Sequence, residues 1–272
     1  MKIFELEKKL FKIFPKSDAE VWDNTGLICG DKNQDVKKIA FNLDLTADAI
    51  LEAHKKKCNV LITHHPLFVS DICKLSLGPS DQAEIPAVGR AFYEASRTGV
   101  NCIAMHTNAD RSILVRRKYA STIGVRCTGN FEHLINPSKV SDGKGYGSIF
   151  TCPMRSTLKS MALHFKECLG GELKIWGNLD KEIKKIAFLN GSFKDMKAYD
   201  ACIKNNIDCF VVGETSYNFC LDFSSHVGVI ELGHDISELP IVDVLMKTCI
   251  DFCISSDDMI DLKLAQRNWT SI

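Results

Sequence analysis

The chain carries no excess of charge: Lys+Arg and Asp+Glu each total 34 in 272 residues, so nothing supports a chain-wide basic face for nucleic acid or membranes. Nucleic acid is therefore not an expected partner. No apolar run approaches the ~20 residues of a membrane span, so no membrane association is expected either. The opening MKIFELEKKLFKIFPK lacks an uninterrupted apolar core and reads as a short amphipathic helix rather than an export signal. No CxxC pair occurs among the twelve cysteines scattered from Cys29 to Cys253. Without an export signal these thiols are expected to stay reduced, mostly as small buried hydrophobes. NGS at 190–192 lacks the glycine pattern of a nucleotide-binding loop. NWT at 268–270 fits a glycosylation acceptor, which has no meaning in the cytoplasmic setting these absences suggest.

What is present is the mixture of a globular protein, 45% hydrophobic and 25% charged, long enough for one large domain or two modest ones. Short apolar runs at Ile39–Leu43, Val60–Thr63, Cys102–Met105, Ile186–Leu189, Cys209–Val212 and Val227–Leu232 read as buried strands. Helical spacing separates or follows them at Ala47–Lys56, Ala83–Ser96, Met196–Lys204 and Ile236–Met246. That alternation implies βαβ units and a largely parallel sheet.

The chain also repeats itself. KKIAF stands at Lys37–Phe41 and again at Lys184–Phe188, each followed by a helical stretch and a second strand, CNVLITHH and IDCFVVGE. The matched spacing points to a duplicated α/β unit, and it aligns His64–His65 with Gly213–Glu214. The turn-rich residues 126–148 suggest a boundary. The expected architecture is two related α/β lobes, the second inserted into the first: 1–127 with 227–272, and 128–226.

Candidate chemistry gathers where strands end, because parallel α/β sheets present their carboxyl ends to ligands. His64 and His65 close one strand ahead of Pro66; alone, the pair reads first as a surface histidine and a capping one. His106 and Asp110 follow the run NCIAM, where Asp110 could instead cap a helix. His234 and Glu238 lie four apart after Gly233, although Asp235 as N-cap would give Glu238 a competing role. Pooled, His64, His65, Asp110, His234 and Glu238 mix imidazole with carboxylate, a set suited to zinc, iron, manganese or nickel. Five ligands exceed one open tetrahedral site and fit two divalent ions sharing a carboxylate. His106 reads as a proton shuttle or a partner that orients a ligand. Asp23 and Asn24 of WDNTG read as loop or site support, Asp44 as a helix cap ahead of a ligand-orienting role, and Thr107 and Asn108 as turn residues.

VWDNTGLICGD (21–31), LITHHPLF (61–68), HTNAD (106–110), VVGE (211–214) and GHDISE (233–238) resemble the ordered motifs of the NGG-interacting-factor-three family. Its bacterial members are often labelled GTP cyclohydrolase type 2 homologues. The resemblance implies two similar α/β/α lobes, a two-metal site on the same five residues, and a ring-shaped homohexamer with the metal sites facing an inner cavity. The chain departs at Ala109, where leucine is usual. It departs again at Tyr217–Asn218, where many relatives pair histidines, and in its tail, which lacks the usual proline. The function implied is a dinuclear metal hydrolase acting on a nucleotide or phosphoester. A metal chaperone or insertase, or a regulatory binding protein stabilised by metal, are the alternatives.

Overall fold

The computed structural model describes residues 1–69, 86–139 and 143–262. The first part of the helix expected at Ala83–Ser96, residues Ser141 and Asp142 of the turn-rich stretch, the end of the tail and NWT lie outside them. Two compact units divide the chain, Met1–Ala109 with Ile241–Ile272, and Asp110–Pro240.

In the first unit the chain runs α1 (Ile3–Ile13), β1 (Gly26–Cys29), β2 (Ile39–Asn42), α2 (Ala47–Lys55), β3 (Val60–Thr63), α3 (Pro86–Thr98) and β4 (Asn101–Ala104). The short α4 (Thr107–Asp110) carries the chain from Ala109 into the second unit. The second unit continues through α5 (Ile113–Ile123), β5 (Arg126–Gly129), α6 (Glu132–Ile135), β6 (Ser148–Thr157), α7 (Leu158–Leu169) and β7 (Lys174–Trp176). It closes with β8 (Glu182–Ser192), α8 (Lys197–Lys204), β9 (Cys209–Glu214), α9 (Tyr217–Phe223) and β10 (Gly228–Glu231). Helix α10 (His234–Asp251) carries the chain out of it at Pro240, which has no N–H to give the helix ladder. Strand β11 (Met259–Asp261) then joins the first sheet beside β2, so the C-terminal part returns to the first unit.

The sheets are ordered β1-β4-β3-β2-β11 and β5-β6-β8-β9-β10-β7. Strands β11, β2, β3 and β4 are parallel and only β1 is antiparallel. The second sheet keeps β8, β9 and β10 parallel but adds antiparallel β5, β6 and β7, so it is less parallel than the alternation suggested.

The duplication extends well beyond KKIAF. Each unit contains a helix, an antiparallel edge strand, then three parallel strands separated by two helices: α1 to β4, and α7 to β10. The registers coincide, with Ile39 opposite Val60 and Val60 opposite Asn101 in one, Ile186 opposite Cys209 and Cys209 opposite Gly228 in the other. Local detail coincides too. The Asn59 Oδ1 accepts the Lys37 backbone N–H at 2.9 Å, and the Asp208 Oδ2 accepts those of Lys184 and Lys185 at 2.9 Å. Two residues earlier, Lys57 and Asn206 both adopt left-handed backbone, at φ 63° and 51°. Buried faces hold each copy together: Ile50, Ala53, Leu61 and Cys102 in the first, and Phe210, Val212, Phe219 and Phe223 in the second.

The boundaries differ from those read at 127/128 and 226/227. Residues 126–129 are tied into the second sheet, where Arg126 faces Thr151 and Cys127 faces Phe150. The Arg111–Glu132 ion pair at 2.6 Å fastens the preceding segment to the same unit. At the other edge, β10 is hydrogen-bonded between β9 and β7 and leaves the second unit only through α10. The turn-rich stretch thus falls within the second unit, where it holds β5 and α6, and not at its border.

Candidate metal centre

Strand β3 is apolar and fully buried, and its ladder ends at Thr63. The next two residues are no longer forced to opposite faces, and the His64 and His65 rings stand with centroids 4.9 Å apart. The bend is held locally: the Thr63 hydroxyl donates to the His65 carbonyl at 2.7 Å, and the His65 N–H donates to the Leu43 carbonyl at 2.9 Å. His106, just past β4, brings a third ring, 5.2 Å from His64 and 5.5 Å from His65. One nitrogen of each of these rings lies within 4.8 Å of one of each other ring, a spacing that could hold a metal ion.

Each ring is braced at Nδ1 by a group that only accepts. His64, fully buried, meets the Met105 carbonyl at 2.9 Å; His65 meets Asp44 Oδ1 at 2.7 Å; His106 meets Asp23 Oδ1 at 2.9 Å. The proton of each neutral ring therefore sits on Nδ1, and Nε2 carries the lone pair. This is the arrangement in which second partners prepare imidazoles as metal ligands.

Asp23 itself is gripped by the Thr107 N–H at 3.0 Å and by the Thr107 hydroxyl. Burial pushes its carboxyl upward, but the His106 and Thr107 bonds and the nearby imidazole win, holding it below the usual carboxylate range. The WDNTG loop thus supports both structure and site. Asn24 donates to the Phe68 carbonyl and Thr25 to the Ala104 carbonyl, while the Asp23 carboxylate accepts from the His106 ring. Thr107 and Asn108 are helical in α4 rather than turn residues, and the Asn108 amide donates to the Phe14 carbonyl at 2.7 Å. Asp44 is not a cap. Thr46 caps α2, accepting from the Ala49 N–H, and Asp44 is left to orient His65.

In the second unit, the carboxylates Asp110 and Glu238 are both buried and share one amide. Asn190 Nδ2 donates to Asp110 Oδ1 at 2.6 Å and to Glu238 Oε1 at 3.3 Å. Asp110 does not cap α5; Ser112 does. His234 opens α10, so Asp235 lies inside the helix rather than capping it, and Glu238 stands one turn on. Its Oε2 is 3.1 Å from His234 Nε2, about the separation of neighbouring ligands that each lie ~2 Å from one ion. Glu214 at the end of β9 faces the other nitrogen of His234 at 3.4 Å.

The NGS segment, without a phosphate-binding pattern, shapes this half of the ligand set. Gly191 has φ 66°, and a Cβ there would lie 2.3 Å from Glu238 Oε1. Its N–H donates to Ser237 Oγ at 2.9 Å, which pins the end of β8 to the first turn of α10. Tyr119, fully buried, donates to the Ser237 carbonyl at 2.6 Å. Burial, then the negative charge of Glu238 and Asp110, drives its phenol well above the usual tyrosine value.

The five expected ligands thus fall as His64 and His65 in the first unit, joined there by His106, and Asp110, His234 and Glu238 in the second. Sequence reading missed Asn190 and ranked the bracing role of Asp44 below a helix cap. Both act over long sequence separations that no local pattern reveals.

Two sequence-related α/β units, each with braced histidine or carboxylate groups at the carboxyl edge of its parallel strands, define a duplicated α/β protein with candidate metal-ligand clusters. The chain belongs to the Duf34/NIF3 (NGG1p interacting factor 3) family, whose profile matches residues 1–253. A Clostridium acetobutylicum protein named GTP cyclohydrolase 1 type 2 homolog is 28% identical over 249 residues, 91% of this chain and 89% of its own. A relative of the same name from Clostridium perfringens is 28% identical over 244 residues, 89% and 88% of the two chains. Among solved structures, a hypothetical protein of Staphylococcus aureus superposes with TM-score 0.83 at 24% identity, covering 100% of this chain and 99% of its own. A Bacillus cereus protein related to NIF3 does so with TM-score 0.79 at 17% identity, again covering 100% and 99%. These two likenesses carry the fold. Among the described residues no helix is long and apolar enough to cross a membrane.

Proposed function

We propose that the protein binds two divalent ions through His64, His65, Asp110, His234 and Glu238, and uses them to hydrolyse a nucleotide or phosphoester. The observation that supports this most directly is the common bracing of His64, His65 and His106, which leaves every Nε2 with its lone pair. Imidazole with carboxylate donors fits zinc, iron, manganese or nickel. When bound, such ions lower the pKa of a coordinated water and polarise a substrate oxygen.

The chain's own residues supply the rest. Met105 and Asp44 hold the two ligand rings in orientation, and Asn190 holds the two carboxylates. His106, its Nδ1 proton committed to Asp23, can take up and release a proton at Nε2. The relatives' name makes a purine nucleotide the first substrate to try. We extend the proposal to a ring-shaped homohexamer in the cytoplasm, where the free thiols seen throughout the described residues would stay reduced.

Metal analysis of protein purified without chelators or a nickel column tests this first. The expected result is more than one ion per chain, reduced in His65→Ala and in Glu238→Ala, with turnover of a nucleotide or phosphoester lost in both. Less than one ion per chain overturns the reading. Full metal without turnover across a broad substrate panel overturns the hydrolase and leaves the metal carrier.

A further inference from the structure

We propose that Cys29 and Cys102 form a reversible dithiol–disulfide couple, with Cys29 as the attacking thiol and Cys102 as the resolving one. The two are far apart in sequence, but β1 and β4 pair antiparallel and the register, after a bulge between Leu27 and Cys29, sets Cys29 opposite Cys102. Directly opposed residues in an antiparallel pair share a face, with Cβ atoms ~4.5–5.5 Å apart, close to the reach of a disulfide. Both side chains pack in the same apolar cluster. The strand end is clamped beside them, since the Asp31 N–H donates to the Asn101 side chain at 2.7 Å.

The two thiols are unequal in the way such a couple requires. Cys29 is half-buried and Cys102 fully buried, so an oxidant meets Cys29 first. The neighbouring Cys102, through its side chain foremost and then its backbone N–H, outweighs burial and lowers the pKa of Cys29. The Cys29 side chain, together with burial, raises that of Cys102. The other described cysteines with a displaced pKa, Cys58, Cys152, Cys168, Cys202, Cys209, Cys220 and Cys249, are all raised, chiefly by burial. Reactive cysteines combine thiolate character, access and an adjacent resolving thiol, and only this pair has all three among the described residues.

The oxidant is a low-molecular-weight disulfide. The Cys29 thiolate attacks one of its sulfurs, forming a mixed disulfide and releasing one thiolate. Cys102 gives up its proton, and its sulfur attacks the Cys29 sulfur and expels the second thiolate. The protein loses two protons and two electrons, and the small disulfide takes them up to become two thiols.

The test is a disulfide map of the full, metal-loaded protein after brief treatment with oxidised glutathione under native conditions. The expected product joins the Cys29 and Cys102 peptides, forms roughly tenfold or more faster than any adduct at Cys202 or Cys249, and reverts with dithiothreitol. In Cys102→Ala, Cys29 should instead accumulate as its glutathione adduct. A wild-type Cys29 that remains unmodified, or that stays as the glutathione adduct while Cys102 keeps its thiol, overturns the proposal.

Discussion

His65 illustrates how much of the candidate site depends on residues other than ligands. Its Nδ1 is fixed by Asp44 at 2.7 Å, and removing that carboxylate frees both the ring orientation and the tautomer. Asp44→Ala should weaken metal binding by about 10–100-fold, the usual cost of losing a ligand's hydrogen-bonding partner. Competition against a chromophoric chelator would read it, and the thermal midpoint of the metal-free protein should hardly move, because Asp44 is partly exposed. Gly191 is the sterner case. A methyl group there would overlap Glu238 Oε1 and sit at φ 66°, so Gly191→Ala should displace the carboxylate. Its metal content should fall towards that of Glu238→Ala, and an unchanged ion count would show that Gly191 does not shape the ligand. The histidines and carboxylates were legible because each follows an apolar strand. Their supports were legible only in part: Asp23 and Asp44 were candidates without assigned partners and Asn190 was missed, because Asp44 lies 21 residues from His65, Asp23 lies 83 from His106 and Asn190 lies 48 from Glu238. Asp44 was misread for a local reason, because a helix start two residues on made a cap the nearer explanation until Thr46 was found to fill that role.

The inner parallel strands were legible because their burial on both faces writes itself as apolar runs, such as VLIT in β3 and GVIE in β10. Strands β1, β5 and β7 were not, because each lies at a sheet edge with little buried surface to leave a pattern. The duplication was visible from five identical residues, whereas its extent was not. The two copies preserve backbone geometry where the side chains differ: Lys57 matches Asn206 in left-handed backbone, and Asn59 matches Asp208 as the acceptor for the strand entry. The geometry is common to both, but its cost is not, since asparagine tolerates that conformation better than lysine. Lys57→Gly should therefore stabilise the protein by up to about 1 kcal/mol, and Asn206→Gly by less. Urea unfolding of the two variants side by side checks this; a larger gain at 206 than at 57 would mean that neither site stores strain in the native backbone.

Across the molecule, the cysteine-rich composition has a consequence that no single element shows. The reading of these thiols as small buried hydrophobes holds for Cys58, Cys102, Cys202, Cys209, Cys220 and Cys249, all buried. Burial pushes Cys202 and Cys249 up to about 12 and Cys209 further still. In the unfolded chain the same thiols ionise near the usual value of about 8.5. Because the folded pKa is the higher, the native state binds more protons in the alkaline range. The contribution of each thiol is complete below about pH 8.5 and is lost as pH rises towards its folded pKa. Between those limits every such thiol steepens the loss of stability by about 1.4 kcal/mol per pH unit. The protein should thus have an unusually sharp alkaline limb above pH 9, while its acid side is governed by carboxylates such as Asp23, whose lowered pKa keeps its contribution until the pH falls below about 4. Urea midpoints measured under reductant at pH 8 and pH 10 test the alkaline half. Cys202→Ala should be less stable than the wild type at pH 8, because it leaves a small cavity against the buried face of α8, and should recover part of that difference by pH 10. Parallel pH curves for the variant and the wild type would show that Cys202 is not held protonated by the fold.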